Sequence, residues 1–345
     1  MDAKVALVVT SIAAPNAVLK QLASGSQDNG WHFIVIGDEK SPSDFQLDGC
    51  DFYSLQRQAE LDFKFARSCP KRHYARKNIG YLLAWQAGRD LIVETDDDNI
   101  PRADFWGDRD RMQTVPVVSG AGWVNAYRYF SEANIWPRGL PLDEVRSPLP
   151  QAWEDLETAD IDCPIQQGLA DENPDVDAIY RLVLPLPQRF RCDRRVALTE
   201  GSWCPFNSQN TTWWSDAFPL LYLPAYCSFR MTDIWRSFVA QRIATANNWG
   251  ILFHEPTVWQ DRNEHDLMRD FEGEIPGYRH NRTIGKALGE LTLEPGTDKL
   301  GENLQICYDK LVSLSVIEPQ ELDLLAAWLD DIAALSRPRN ARFGC

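Results

Sequence analysis

The residues best suited to chemistry are Glu94-Thr-Asp-Asp-Asp-Asn99, set directly after the apolar run Leu91-Ile-Val93. Consecutive carboxylates at the end of a buried strand repel one another, and poor solvation sharpens the repulsion. A hard divalent cation relieves it, because Mg²⁺ and Mn²⁺ take oxygen ligands from one or two carboxylates together with substrate phosphates. In an extended segment alternate side chains share a side. Asp96 and Asp98 can therefore face one metal ion, while Asp97 points the other way, toward a ribose or a basic partner. A solvated acidic turn would carry the same letters; the apolar strand in front of the triplet favours the metal.

A second cluster, Lys71-Arg-His-Tyr-Ala-Arg-Lys-Asn78, concentrates basic side chains in a chain of 345 residues with 35 Lys and Arg against 50 Asp and Glu. The net charge of −15 repels polyphosphates, which argues against generic nucleic-acid or anionic-membrane binding. A phosphate-bearing ligand must then be met by a local basic patch or by a metal. Arg76 and Lys77 lie where a helix is expected to start, so side-chain charge and free N–H groups can both meet a phosphate there. A solvated helix face is the alternative.

Other signals are weaker. Asp38, in Gly37-Asp-Glu-Lys-Ser-Pro42, can accept hydrogen bonds from a nucleobase or ribose, although a plain strand-ending turn looks the same. Asn207-Ser-Gln-Asn-Thr-Thr212, amid Trp203, Trp213 and Trp214, has the polar-plus-aromatic composition of a sugar-binding surface. His32 reads as structural; His254 and His265 flank a late segment and could give a metal ligand, although a satisfied core or surface histidine is the stronger reading of each. The chain has no P-loop, G-x-G-x-x-G, H-E-x-x-H or G-x-S-x-G, which argues against NTPase, classical dehydrogenase, zincin and α/β-hydrolase chemistry.

The elements that must position these residues begin with a strand–helix–strand pattern. Lys4 to Thr10 and Trp31 to Ile36 are apolar strands, and Asn16 to Ala23 is a helix between them. That order predicts a parallel sheet with ligands at the carboxyl ends of its strands. A helix over His73–Ala87 and a third strand over Leu91–Thr95 follow. Residues 100–215 are weakly periodic and rich in Pro, Trp and Gly. Helices are predicted over Asp233–Asn247, Leu300–Val316 and Pro319–Leu335, the last with Leu322, Leu325, Leu329 and Ile332 on one face and Pro319 in its first turn. The expected organisation is one α/β domain over 1–298 and a C-terminal helical extension over 299–345, packed on the domain in preference to a homo-oligomer contact. The cysteines at 50, 69, 163, 192, 204, 227, 307 and 345 form no C-x-x-C pair and suit neither a zinc site nor a disulfide scaffold. With no signal peptide or apolar span in view, a cytoplasmic protein is expected.

Several blocks, in order, resemble the STELLO glycosyltransferase-like family. They include Val8-Val-Thr-Ser11, Gly37-Asp-Glu-Lys-Ser-Pro42, Tyr74-Ala-Arg-Lys-Asn-Ile-Gly-Tyr81, Glu94-Thr-Asp-Asp-Asp98 and Ile135-Trp-Pro-Arg-Gly-Leu-Pro-Leu142. Pro174 to Arg181, Pro205 to Thr211, Leu221 to Pro224, Arg230 to Arg236 and Pro256 to Val258 continue the likeness. The nucleotide-side motifs are more distantly similar to those of the reversibly glycosylated polypeptides, the UDP-arabinopyranose mutases. The resemblance implies a GT-A fold, a Rossmann-like half that binds a nucleoside diphosphate sugar, and a D-x-D-type metal motif.

Carried over to this chain, the resemblance implies that Thr10, Ser11 and Asp38 contact the nucleoside and that Arg76 and Lys77 lie at the nucleotide side. Asp96 and Asp98 would hold Mn²⁺ or Mg²⁺ against the diphosphate, and Arg138 with the Asn207 to Gln209 turn would line the sugar side. Asp233 would be the general base or an anchor for a sugar hydroxyl. Where the family has a late histidine this chain reads Val258-Trp-Gln-Asp261, which leaves Asp261 or His254 as third-ligand candidates. The expected function is metal-dependent transfer of a sugar from a nucleoside diphosphate sugar, a UDP-sugar first, to a carbohydrate or glycoconjugate acceptor. A UDP-sugar pyranose–furanose mutase, with Arg128 or Arg138 holding the sugar, and a non-catalytic binding scaffold are the alternatives. The membrane anchor and Golgi setting of the plant STELLO proteins are not expected to carry over.

Overall fold

The structure is a computed structural model that describes residues 3–261 and 266–336. His265, and residues 337–345 of the C-terminal extension, lie outside the described residues.

Apolar runs at the start of the chain build parallel strands, as their pattern requires. Strand β1 (Val5–Thr10) leads through helix α1 (Ala17–Asp28) to β2 (His32–Ile36) and β3 (Asp51–Tyr53). Short helices α2 (Leu55–Ala59) and α3 (Lys64–Ser68) precede α4 (Lys77–Gln86) and β4 (Leu91–Thr95). The middle of the chain holds β5 (Asn99–Pro101), β6 (Met112–Val118), β7 (Gly122–Trp123), β8 (Thr158–Asp162), β9 (Ile165–Asp171) and α5 (Ala178–Val183). Then come β10 (Arg195–Leu198), β11 (Ser202–Trp203), β12 (Asn210–Trp214), α6 (Thr232–Ala246), β13 (Ile251–Gln260) and α7 (Leu267–Gly289), and finally α8 (Leu300–Ser313) and α9 (Glu321–Leu335).

One large sheet runs in the order β3-β2-β1-β4-β12-β9-β13-β10-β6-β8, with β5 paired to β13. Its first four strands are parallel, and the remainder is mixed. Two pairings position the site. Strand β12 lies antiparallel to β4 with Asn210 opposite Thr95, so the residues just before β12 meet those just after β4. Strand β5 lies antiparallel to β13 with Asn99 opposite Gln260, which brings the end of β13 beside the carboxylate triplet.

Several boundaries differ from the sequence pattern for identifiable reasons. Asn16 is the N-cap of α1, accepting from Leu19 N at 2.8 Å, and the helix continues to Asp28. The helix expected from His73 opens as a 3₁₀ turn over Tyr74–Arg76 before α4. Pro319 precedes α9, because the helix starts at Glu321, whose buried carboxylate is drawn inward onto Ala225 N at 2.9 Å and Tyr226 N at 2.6 Å. Its buried stripe centres on Leu325 and Trp328, with Leu322 and Leu329 at the margins. Helix α9 also caps α3, with Asp331 accepting from Lys64 N at 2.9 Å and Phe65 N at 2.8 Å. Helix α7 was not legible because Gly273, Pro276, Gly277 and Gly285 interrupt its apolar period.

Candidate functional site

The carboxyl ends of β1, β2 and β4 open onto a cavity of about 710 Å³, the place where ligands sit in parallel α/β sheets. Thr10, Ser11, Asp38, Arg76, Asp96, Asp97, Asp98, Arg138, Gln209 and Asp233 all line it, drawn together from distant parts of the chain. Lys77 and Asn207 are buried behind the wall.

The acidic triplet is held from three directions. Asp96 accepts from Tyr74 Oη at 2.9 Å and, more loosely, from Lys77 Nζ at 3.3 Å. Burial pushes its carboxyl up to about 6, against the opposing pull of Lys77. Asp97 turns toward β1, where Ser11 Oγ donates to its carboxylate and Asn16 Nδ2 donates to its carbonyl at 2.9 Å. Burial raises this carboxyl too, with Ser11 opposing. Asp98 accepts from Gln260 Nε2 at 3.0 Å. Among the described residues, no group of three or more His, Cys, Asp or Glu side chains gathers to hold a metal unaided.

The basic cluster is arranged differently from its sequence pattern. Lys77, fully buried, donates to Tyr74 Oη and Thr95 O, both at 2.8 Å, as well as to Asp96 and Ser208 O at 3.3 Å. It therefore braces Asp96 from behind. Arg76 lines the cavity but spends its guanidinium on Gln58 Oε1 and on Cys69 O, each at 2.9 Å. Lys40, Arg72, Arg230 and Arg269 also line the cavity. Asp38 accepts from His73 N at 2.9 Å and Glu39 N at 2.7 Å, which folds the basic turn over the end of β2.

On the opposite wall Arg138 is clamped between two carboxylates. Its Nε and Nη2 donate to Asp175 at 2.8 and 2.9 Å, and its Nη1 and Nη2 donate to Asp233 at 3.1 and 2.8 Å. Burial works against ionisation of Asp233, but Arg138 outweighs it and holds the carboxyl below the usual range. Arg230 is paired in turn with Glu274 at 2.7 Å. Beneath the cavity floor Glu94 takes Arg236 at 3.0 and 2.8 Å and Trp213 Nε1 at 2.9 Å, so the first carboxylate of the motif belongs to the core.

Asn207 shapes the turn instead of facing the cavity: its Oδ1 accepts from Gln209 N at 2.9 Å and its N donates to Gln167 Oε1 at 2.8 Å. None of Trp203, Trp213 and Trp214 lines the cavity; its aromatic members are His73, Tyr74 and Phe229. Of the third-ligand candidates, His254 bonds Glu255 O within β13 at 2.9 Å, burial lowers it to about 4, and it does not line the cavity. Asp261 is exposed and reaches Asp98 only through its backbone N–H, at 3.1 Å to the carbonyl. Arg128 lines a different, smaller cavity of about 210 Å³ with Trp153 and Arg194.

Residues 230–338 match the family model described as STELLO glycosyltransferases. A protein named "Probable glycosyltransferase STELLO2" from Arabidopsis thaliana is 32% identical over 271 residues, 73% of this chain and 35% of its own length. "Probable glycosyltransferase STELLO1" from the same plant is 30% identical over the same shares. The chain is related to the STELLO glycosyltransferases. It spans about a third of the length of these curated relatives (35%). Its α/β architecture is that of a GT-A-like glycosyltransferase. A solved mycobacterial protein covers 90% of this chain and 74% of its own at 12% identity and a TM-score of 0.38, a likeness too low to bear on function. Among the described residues, no helix is long and apolar enough to cross a membrane.

In this STELLO-related chain Ser208 and Gln209 line the cavity from the expected turn, while Tyr74, Arg230, Gln260 and Arg269 are lining residues that the sequence pattern did not single out. Tyr74 lies inside the basic cluster, and Arg230 stands three positions before Asp233. Gln260 lies in the stretch where the family has its late histidine, but its place beside Asp98 depends on the pairing of β13 with β5.

Proposed function

We propose that the cavity binds a nucleoside diphosphate sugar with a divalent cation and passes the sugar to a carbohydrate or glycoconjugate acceptor, a UDP-sugar being the first donor to test. The observation that carries the reading is that one cavity unites Ser11 and Asp38 at the ends of β1 and β2, Asp96 and Asp98 after β4, and the Arg138–Asp233 pair. The donor set fits Mn²⁺ or Mg²⁺: hard carboxylate oxygens, with a buried amide oxygen of Gln260 that has no hydrogen-bond partner beside them. When bound, the cation supplies neutralisation of the leaving diphosphate.

The chain's own residues do the rest. Ser11 and Asp38 offer hydroxyl and carboxylate groups to the nucleoside, and Asp97 holds Ser11 in place. Asp96 and Asp98 hold the cation, with Lys77 and Tyr74 fixing Asp96. Lys40, Arg72 and Arg269 place positive charge along the wall, where charge developing on the diphosphate is stabilised without reorganisation. The bond between the anomeric carbon and the diphosphate oxygen breaks, the acceptor hydroxyl oxygen bonds to that carbon, and its proton leaves to a base or to water. Because Arg138 meets both oxygens of Asp233, Asp233 serves as an anchor for sugar hydroxyls in preference to a general base.

Calorimetric titration of UDP, GDP and CDP, each with Mn²⁺ and then with EDTA, tests the reading. One nucleotide should bind only with the metal, and Asp96→Asn and Asp98→Asn should each abolish that binding while far-UV circular dichroism stays unchanged. Undiminished affinity in both variants would sink the metal assignment. The engagement of Asp233 by Arg138 favours a second reading, in which the nucleotide sugar is bound without turnover. Metal-dependent binding with neither hydrolysis nor transfer of several offered sugars would support it, whereas a rearranged UDP-sugar formed without acceptor would mark a mutase.

A further inference from the structure

Gln260 is the last residue of β13 and lies opposite Asn99, the residue that follows the acidic triplet. The residue is only 8% exposed, and it lines the cavity together with Asp96 and Asp98. The amide nitrogen donates to Asp98 Oδ1 at 3.0 Å. A carboxylate only accepts, so the amide must present its nitrogen to Asp98 and turn its oxygen away. That oxygen, Oε1, is buried and has no hydrogen-bond partner. A buried acceptor left without a donor or a cation is unfavourable, and this one stands beside a carboxylate in the cavity wall.

We propose that Gln260 contributes the third protein oxygen of the cation site, holding Asp98 through Nε2 and offering Oε1 to the ion. The inference rests on the metal reading above and deepens it. Two consequences follow from the chemistry of the donors. The set of Asp96, Asp98 and Gln260 is all oxygen, which suits Mg²⁺ and Mn²⁺ better than metals that prefer imidazole or thiolate. The third ligand is neutral, so less protein charge opposes the approach of an anionic diphosphate to the same ion.

The test measures uptake of Mn²⁺ from MnCl₂ by the electron-spin-resonance signal of the free ion, with and without UDP. Wild-type protein is compared with Gln260→Leu, Gln260→Glu and Asp98→Asn, each checked for an unchanged unfolding temperature. Gln260→Leu should weaken Mn²⁺ uptake about 10- to 100-fold. Gln260→Glu cannot donate to Asp98 but keeps an oxygen, so it should take up Mn²⁺ at least as well as wild type. If Gln260→Glu binds as poorly as Gln260→Leu, the side chain acts only by positioning Asp98 and the ligand assignment falls. Wild-type uptake in Gln260→Leu alongside lost uptake in Asp98→Asn overturns this inference and leaves the cation site standing. No Mn²⁺ uptake by wild type in either condition removes both.

Discussion

Tyr74 and Ser208 meet hydroxyl to hydroxyl at 2.7 Å, and that contact links Asp96 on one wall of the cavity to Asp233 on the other. Tyr74 donates to Asp96 at 2.9 Å and accepts from Lys77 at 2.8 Å, which leaves Ser208 to donate to Tyr74. Ser208 in turn donates its backbone N–H to Asp233 Oδ2 at 3.4 Å. The cation-binding wall and the Arg138 wall are thus parts of one polar network, in which the worth of each bond depends on its neighbours.

Tyr74→Phe should cut this link without emptying the core. Asp96 loses a donor and Lys77 loses an acceptor, so metal-dependent nucleotide affinity should fall about tenfold with a stability loss of about 1–2 kcal/mol. Titration calorimetry beside urea denaturation checks this. Unaltered nucleotide affinity would mean that the hydroxyl contributes only to packing.

Arg138 neutralises two carboxylates at once, the buried one of Asp233 and the partly buried one of Asp175. Arg138→Met should destabilise the protein by about 3–5 kcal/mol, because buried Asp233 and partly buried Asp175 lose their shared cation. Adding Asp175→Asn and Asp233→Asn to the same variant should recover a large part of that loss. Denaturant melts of the single and triple variants decide it, and a triple variant no more stable than the single would contradict the shared-charge account.

Asp177 gives the clearest pH signature away from the cavity. It caps α5, accepting from Tyr180 N and Trp136 Nε1, both at 2.8 Å. Burial raises its carboxyl to about 6 from a usual value of 3.8, although both hydrogen bonds oppose the rise. The folded state therefore binds the proton more tightly than the unfolded chain, and this group's contribution to stability falls as pH rises from about 4 to about 6. Asp177→Asn removes the titration. Whatever constant offset the amide brings, the stability difference should move in the variant's favour by roughly 2–3 kcal/mol between pH 4 and pH 7. Urea midpoints across that range measure it, and a pH-independent difference would contradict the assignment.

Gly80 lets α4 close on the sheet. A Cβ there would lie 2.5 Å from Val8 Cγ1 and 3.1 Å from Ile36 Cγ1. Gly80→Ala gains about 1 kcal/mol of helix propensity but forces a contact in a packed core that costs about 1–3 kcal/mol. A net loss of stability is expected, together with weaker metal-dependent nucleotide binding, since α4 carries Lys77 behind Asp96. A variant more stable than wild type would show that the helix shifts freely.

The sequence by itself determined the parallel start of the sheet, the placing of Ser11, Asp38 and the acidic triplet at strand ends, and the helices around Asp233 and near the C-terminus. These follow from local periodicity and from apolar runs that must be buried, which neighbouring residues settle among themselves. Tertiary structure decided where the charges are spent. Arg76 and Lys77 read as phosphate ligands, but Arg76 satisfies Gln58 and Cys69, and Lys77 is enclosed among the oxygens of Tyr74, Thr95, Asp96 and Ser208. A buried cation takes whichever acceptors the fold brings to it, and those lie up to 131 positions away from Lys77 in sequence. Gln260 reaches Asp98 across 162 positions only because β13 pairs with β5, and no local pattern encodes that register.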